Sequence, residues 1–162
     1  MENSIINKEE ITMENTPQEL ITSTIEKVEN ILNEKFPDHI KFDDGQYVIN
    51  RGSTQVMVLV RPFTEKDTAV ECISNVVSGA DITPDLMKFL LRKNAEIHFG
   101  SFGLLFDDTI TFSHCITGTN LDTNELNVSI NSVAIIADHY DDEIVGIAGG
   151  KRASEILEND FE

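Results

Sequence analysis

Residues 54–63 read Thr-Gln-Val-Met-Val-Leu-Val-Arg-Pro-Phe, and from Gln55 to Val60 the run is β-branched or apolar at almost every position. Successive strand residues point to opposite faces. Val56, Val58 and Val60 therefore make one apolar row, and Met57 and Leu59 contribute to the other. A strand apolar on both faces is covered on both sides. This run is too short to span a bilayer, which takes about 20 apolar residues, and it reads as the strongest strand of the protein.

Working outward, Arg51-Gly52 and Glu65-Lys66-Asp67 read as polar turns on either side of this strand. Before the first turn, Ile40–Phe42 and Gln46–Ile49 flank Asp43-Asp44-Gly45, a hairpin signal. After the second, Thr68–Val77 is rich in Val and Ile. Strands joined by short polar turns pair antiparallel. Further upstream, Thr16 as N-cap, Pro17 at the first position and Glu19 in a capping box predict a helix start. Its stripe runs through Leu20, Ile21, Thr24, Ile25, Val28, Ile31 and Leu32 to about Phe36, where Pro37-Asp38 ends it.

Downstream, Thr83 and Pro84 open a short helix whose apolar face is Leu86, Phe89, Leu90 and Leu91, ending near Asn94. Residues 96–106 read as strand, with Gly100 and Gly103 as bends or bulges. Past Asp107-Asp108, the residues Ile110, Phe112, His114 and Ile116 alternate with polar ones in a half-buried strand. Asp122 and Glu125 cap a long helix with Leu126, Ile130, Val133, Ala137, Tyr140 and Ile144 on its stripe. Gly149-Gly150 ends it, with Lys151 and Arg152 near the negative end of its dipole. The expected architecture is α+β: a two-layer sandwich in which N- and C-terminal helices flank an antiparallel sheet, with a short helix mid-chain. Residues 1–15 are expected to be a disordered acidic tail, 16–150 a single domain and 151–162 a flexible acidic C-terminus.

The 162 residues leave room for one core, and 40% hydrophobic content is too high for a disordered chain. Twenty-nine acids against twelve Lys and Arg give a net charge of −17. That field repels phosphate backbones and anionic membranes, so neither nucleic acid nor membrane is an expected partner. The first fifteen residues show no signal-peptide pattern, and a cytoplasmic location is expected. Cys72 and Cys115 form no C-x-x-C and have no histidine at zinc spacing, so they read as core thiols.

Sites of chemistry are missing from the sequence. It contains no phosphate-binding glycine loop, no G-x-S-x-G elbow and no calcium loop. His114 adjoins Cys115, but strand neighbours point to opposite faces, which rules out a thiolate pair. His98 and His114 lie on neighbouring strands. On the last helix His139 and Glu143 share a face, as do Asp138 and Asp142. His139, Asp142 and Glu143 are thus the candidate ligands of an alternative small-ligand or metal-binding reading, which needs a further ligand from elsewhere. The leading reading needs no cofactor and no catalysis.

Certain motifs add a resemblance. Leu-Leu-Arg-x-Asn at 90–94, Phe-Gly-x-Phe-Gly at 99–103, the Asp107-Asp108 turn and Leu121-Asp122 are joined by Ala-Asp-x-Tyr-Asp-Asp-x-Ile-Val at 137–145 and Gly-Gly-x-Arg-Ala at 149–153. Together they resemble the YbjN family, most closely its cyanobacterial-type branch, over about residues 50–155. The resemblance implies a fold like that of type III secretion chaperones, small acidic proteins that are usually homodimeric and hold unfolded segments of partners without ATP. It also implies no catalytic motif, and a regulatory role linked to stress and motility is described for some members. Its shared residues, Asn94, Phe99, Gly100, Phe102, Gly103, Asp138, Tyr140, Asp141 and Asp142, are all readable as caps, bends and packing. The expectation is a homodimeric, non-enzymatic, chaperone-like or regulatory module for a protein or peptide client. Its candidate partner or dimer surface is Val56, Val58, Val60, Leu86, Phe89, Leu90 and Phe102.

Overall fold

The computed structural model describes residues 15–159. They form helix α1 (Gln18–Lys35), strands β1 (Ile40–Asp43), β2 (Gln46–Arg51), β3 (Thr54–Pro62) and β4 (Thr68–Ser78), and helix α2 (Pro84–Glu96). Strands β5 (Ser101–Leu104) and β6 (Ile110–Thr117), helix α3 (Thr123–Ala148), strand β7 (Lys151–Arg152) and helix α4 (Ala153–Asn159) follow. All pairings are antiparallel in the order β1-β2-β3-β4-β6-β5, and β7 pairs with the end of β4. This is the α+β sandwich that the alternating runs predict.

Three helices cover one face of the sheet. From β3 that face receives Val56 and Val58, from β4 Val70 and Cys72, and from β6 Phe112, all with no exposed surface. From α1 come Val28 and Leu32, and from α3 Leu126, Ile130, Val133 and Ile144, equally enclosed. Each such aliphatic side chain contributes roughly 1.5–3 kcal/mol through burial, and together they fix which face the helices take. Beneath α1 the buried hydroxyls of Thr24 and Thr68 bond to each other at 2.8 Å. Gly118 lies so close that a Cβ there would sit 2.0 Å from Thr68 Oγ1.

Helix α3 starts as its sequence predicts. The Asp122 carboxylate accepts from Glu125 N–H at 2.8 Å, and the Glu125 carboxylate accepts from Asp122 N–H at 3.0 Å. Thr83 caps α2 by accepting from Leu86 N–H. Helix α1 differs from expectation: Pro17 occupies the N-cap and no side chain caps it. Thr16 instead accepts from Phe63 N–H at 2.8 Å, tying the helix start to the end of β3. Its hydroxyl is engaged by the sheet and so cannot cap the helix.

The predicted strand 96–106 is shorter than its pattern. α2 continues to Glu96, and Gly100 takes φ 88°, where a Cβ would meet Ser113 O at 2.5 Å. Regular pairing therefore begins only at Ser101. The C-terminus, expected to be flexible from 151, is also more structured. Lys151 and Arg152 pair with Ser78 and Val77, and α4 follows to Asn159. Arg152 lies between Asp142 and Glu155, and Glu155 also accepts from Arg152 N–H, so the basic residue organises this end. The expected tail falls almost wholly outside the described residues, as do 160–162.

Candidate peptide-binding surface

The cross-strand register defines what the uncovered face of the sheet presents. Ile40 pairs with Val48, Val48 with Met57, and Met57 with Ile73, so one residue row across four strands is entirely apolar. At about 4.8 Å between strands this row is roughly 15 Å wide. Leu59 lies two residues along β3 on the same face, and Arg61 and Glu71 form an ion pair at 3.1 Å beside it. Ile40 is 47% exposed, and Phe42 on the same edge strand is 71% exposed. Among the described residues only α4 approaches this face. Its Ala153 and Ile156 line, with Gln55, Met57, Asn75 and Ser78, a small cavity of about 110 Å³ at one end.

The structure assigns the residues singled out from sequence mainly to the covered side. Val56, Val58 and Leu86 have no exposed surface and Phe102 is 7% exposed; all four are core. Val60, Phe89 and Leu90 are partly buried against that core. Periodicity picks out the inward row of β3 and of α2. The rows that solvent reaches are their alternates, Met57 and Leu59 on β3, and Met87 and Leu91 on α2. No sequence signal distinguished the two rows of β3, because both are apolar and the choice depends on where the helices pack.

The motif residues of α3 have structural partners. Asp138 accepts from Ser53 Oγ at 2.7 Å, fixing the β2–β3 turn, while Asp142 accepts from Arg152 at 2.5 Å. Tyr140 meets Phe102 and Phe89 edge-on, and Phe102 in turn meets Phe112. Burial, with help from Asp142 and Asp138, pushes the Asp141 carboxyl above its usual range. His139 and Glu143 stand exposed on the same helix. Among the described residues no group of three or more His, Cys, Asp or Glu is gathered in a way that could hold a metal ion. His114 is approached by the Phe99 ring at 5.6 Å, and His98 is exposed.

Among the described residues, His114 and the two thiols do not form a thiolate–imidazole pair. His114 lies opposite Cys72 on the covered face, and Cys115 lies opposite Glu71 on the open one. Burial pushes the Cys72 thiol up to about 12 and lowers the His114 imidazole below its ordinary value. Cys115, expected in the core, is exposed on the open face; partial shielding by its neighbours, and then Glu71, raise its thiol as well. Both thiols are therefore held protonated at neutral pH. What the open face offers is apolar area with a polar border, suited to holding side chains.

The comparisons with known proteins agree with this geometry. Residues 22–156 match the model of the family described as T3SS (YopN, CesT) and YbjN peptide-binding chaperone 1, TY-Chap1. The chain belongs to the TY-Chap1 family. Its fold is similar to that in the crystal structure of the ExsC-ExsE complex, with a TM-score of 0.59 and 13% identity over 74% of this chain and 95% of that one. It is also similar to a chain of the HopA1-SchA chaperone-effector complex, with a TM-score of 0.50 and 11% identity over 76% of this chain and 91% of that one. No curated protein matches the chain. At such identities the two structures speak for the fold, and the TY-Chap1 match carries the class: a peptide-binding chaperone family. Among the described residues, no helix of this TY-Chap1 chain is long and apolar enough to cross a membrane.

Proposed function

We propose that the open sheet face is where this chain holds a polypeptide client, without catalysis, as a chaperone-like or regulatory module. The observation that carries the reading is the row Ile40–Val48–Met57–Ile73, apolar across four strands and bare of α1, α2 and α3. Apolar area that the helices leave uncovered on a small protein marks an interaction surface; in this row Ile40 is exposed, Met57 and Ile73 are half-buried, and Val48 lies low between its neighbours at 8% exposure. Its occupant is an extended or amphipathic segment that seats apolar side chains between charged rims. With a net charge of −17, the chain favours clients whose flanks are neutral or basic. Val56, Val58, Leu86 and Phe102 serve as the packed support of this surface, with Val60, Phe89 and Leu90 at its margins.

The same face supports a homodimer, because a second copy or a client covers what the described helices leave open. The location in keeping with this reading is the cytoplasm. The test combines sedimentation with titration of Nile red, a neutral dye that fluoresces on apolar surface. A dimer with dye-accessible area that a bound unfolded peptide displaces is the expected result. A strict monomer with no dye binding would overturn both the dimer and the client face.

A further inference from the structure

We infer that the outer side of α2 and the adjoining β5–β6 hairpin form a second docking surface, one that takes an acidic amphipathic helix of a partner protein. This surface is separate from the sheet face and does not depend on the client reading. Among the described residues, six of the ten large apolar side chains left exposed fall in this short stretch of chain: Met87, Leu91, Phe99, Leu104, Leu105 and Phe106. Phe106 is fully exposed and Leu91 is 69% exposed. The fold does not need the outer side of α2, since Leu86, Phe89 and Leu90 already supply its packing against the core.

Charge identifies the occupant. Lys88 and Arg92 stand exposed one helical turn apart, immediately beside Met87 and Leu91, which have the same spacing. Among the described residues neither cation lies in an ion pair, whereas Lys93, on the same helix, is paired with Glu96 and lies over the rings of Phe89 and Tyr140. Two unpaired cations flanking an apolar pair are a distinctive feature on a molecule of net charge −17. Long-range repulsion of an acidic partner fades beyond about 8 Å at physiological ionic strength, leaving the local pairing to decide.

Backbone chemistry blocks the other common mode of recognition at Phe102, within the four-residue strand β5. β5 is an edge strand, and strand addition needs its outward N–H and C=O groups. At Phe102 both are taken: Phe102 N–H donates to Asn94 Oδ1 at 2.7 Å, and Asn94 Nδ2 donates to Phe102 O at 3.1 Å. The hairpin beyond closes on itself through Leu105 N–H to Thr109 O. Recognition here is therefore by side chains, and a helix with apolar residues at i, i+3 and i+4 and acids beside them complements α2. Asp85 in the first turn and Asp107-Asp108 at the hairpin tip give the patch acidic ends.

The test uses the full chain and a fluorescein-labelled synthetic helix of about 18 residues, long enough to be partly helical in water, built from Glu and Ala with a Leu stripe. Anisotropy titration is expected to show binding that Lys88→Glu/Arg92→Glu and Leu91→Asp each weaken by about tenfold or more. Ile135→Asp, at an exposed position on α3 outside both surfaces, should leave it unchanged. All the substituted side chains on α2 are exposed, so unchanged melting temperatures confirm that the variants fold. Absence of binding, or binding indifferent to both α2 variants, overturns the inference. So does self-association of the chain that Leu91→Asp abolishes while the acidic helix fails to bind, since the occupant is then a second copy.

Discussion

Asn94 acts as a substitute for a neighbouring strand. From the end of α2 its amide satisfies both outward backbone groups of Phe102, joining the short helix to the edge of the sheet. Removing the amide leaves these partly buried groups without protein partners. Asn94→Ala should lower the unfolding free energy by about 1–3 kcal/mol in urea titrations; a change within error would mean that water replaces the amide without loss. Asp67 does comparable work at the opposite end. Burial pushes its carboxyl up, but the N–H groups of Thr119, Thr68 and Gly118 and the Thr119 hydroxyl outweigh that and hold it below its ordinary value. A carboxyl with a depressed folded pKa stabilises the fold above its unfolded pKa and loses that contribution as pH falls through the folded one. Stability should therefore decline as pH drops below about 4. Asp67→Asn should flatten that decline, as followed by thermal melts across pH. Neither role was legible in the sequence: Asn94 appeared as a residue shared with a family and Asp67 as one of three turn residues, and their partners lie on other elements.

At the scale of elements, legibility followed local chemistry. α3 and α2 begin where capping residues place them, because a cap is satisfied within one turn. α1 does not, because Thr16 has a tertiary partner in Phe63. The sequence marks β3 as a strand apolar on both faces, but its two apolar rows carry no local mark of which faces the helices. α4 was missed because Ala153–Asn159 is short and acidic, and its position depends on β7 pairing with β4 and on Arg152. That helix covers one end of the open face through Ile156. Ile156→Asp should release it, raising Nile red fluorescence and speeding amide exchange in 153–159 with little change in the melting temperature of the core. Unchanged dye binding would show that α4 covers nothing a ligand can use.

The whole molecule has two unlike sides. Helices seal one face of the sheet around a core that tolerates no solvent; the other face keeps a cross-strand apolar row on a body of net charge −17. A net charge of that sign repels phosphate backbones and opposes self-association, a property that composition alone carries. The residues of the row required the register. The most direct test titrates a labelled, permanently unfolded polypeptide against the native chain and against Met57→Asp/Leu59→Asp, with melting curves to confirm folding. The account predicts binding by the native chain and a loss of about tenfold or more in the variant. Equal binding by a folded variant would contradict it.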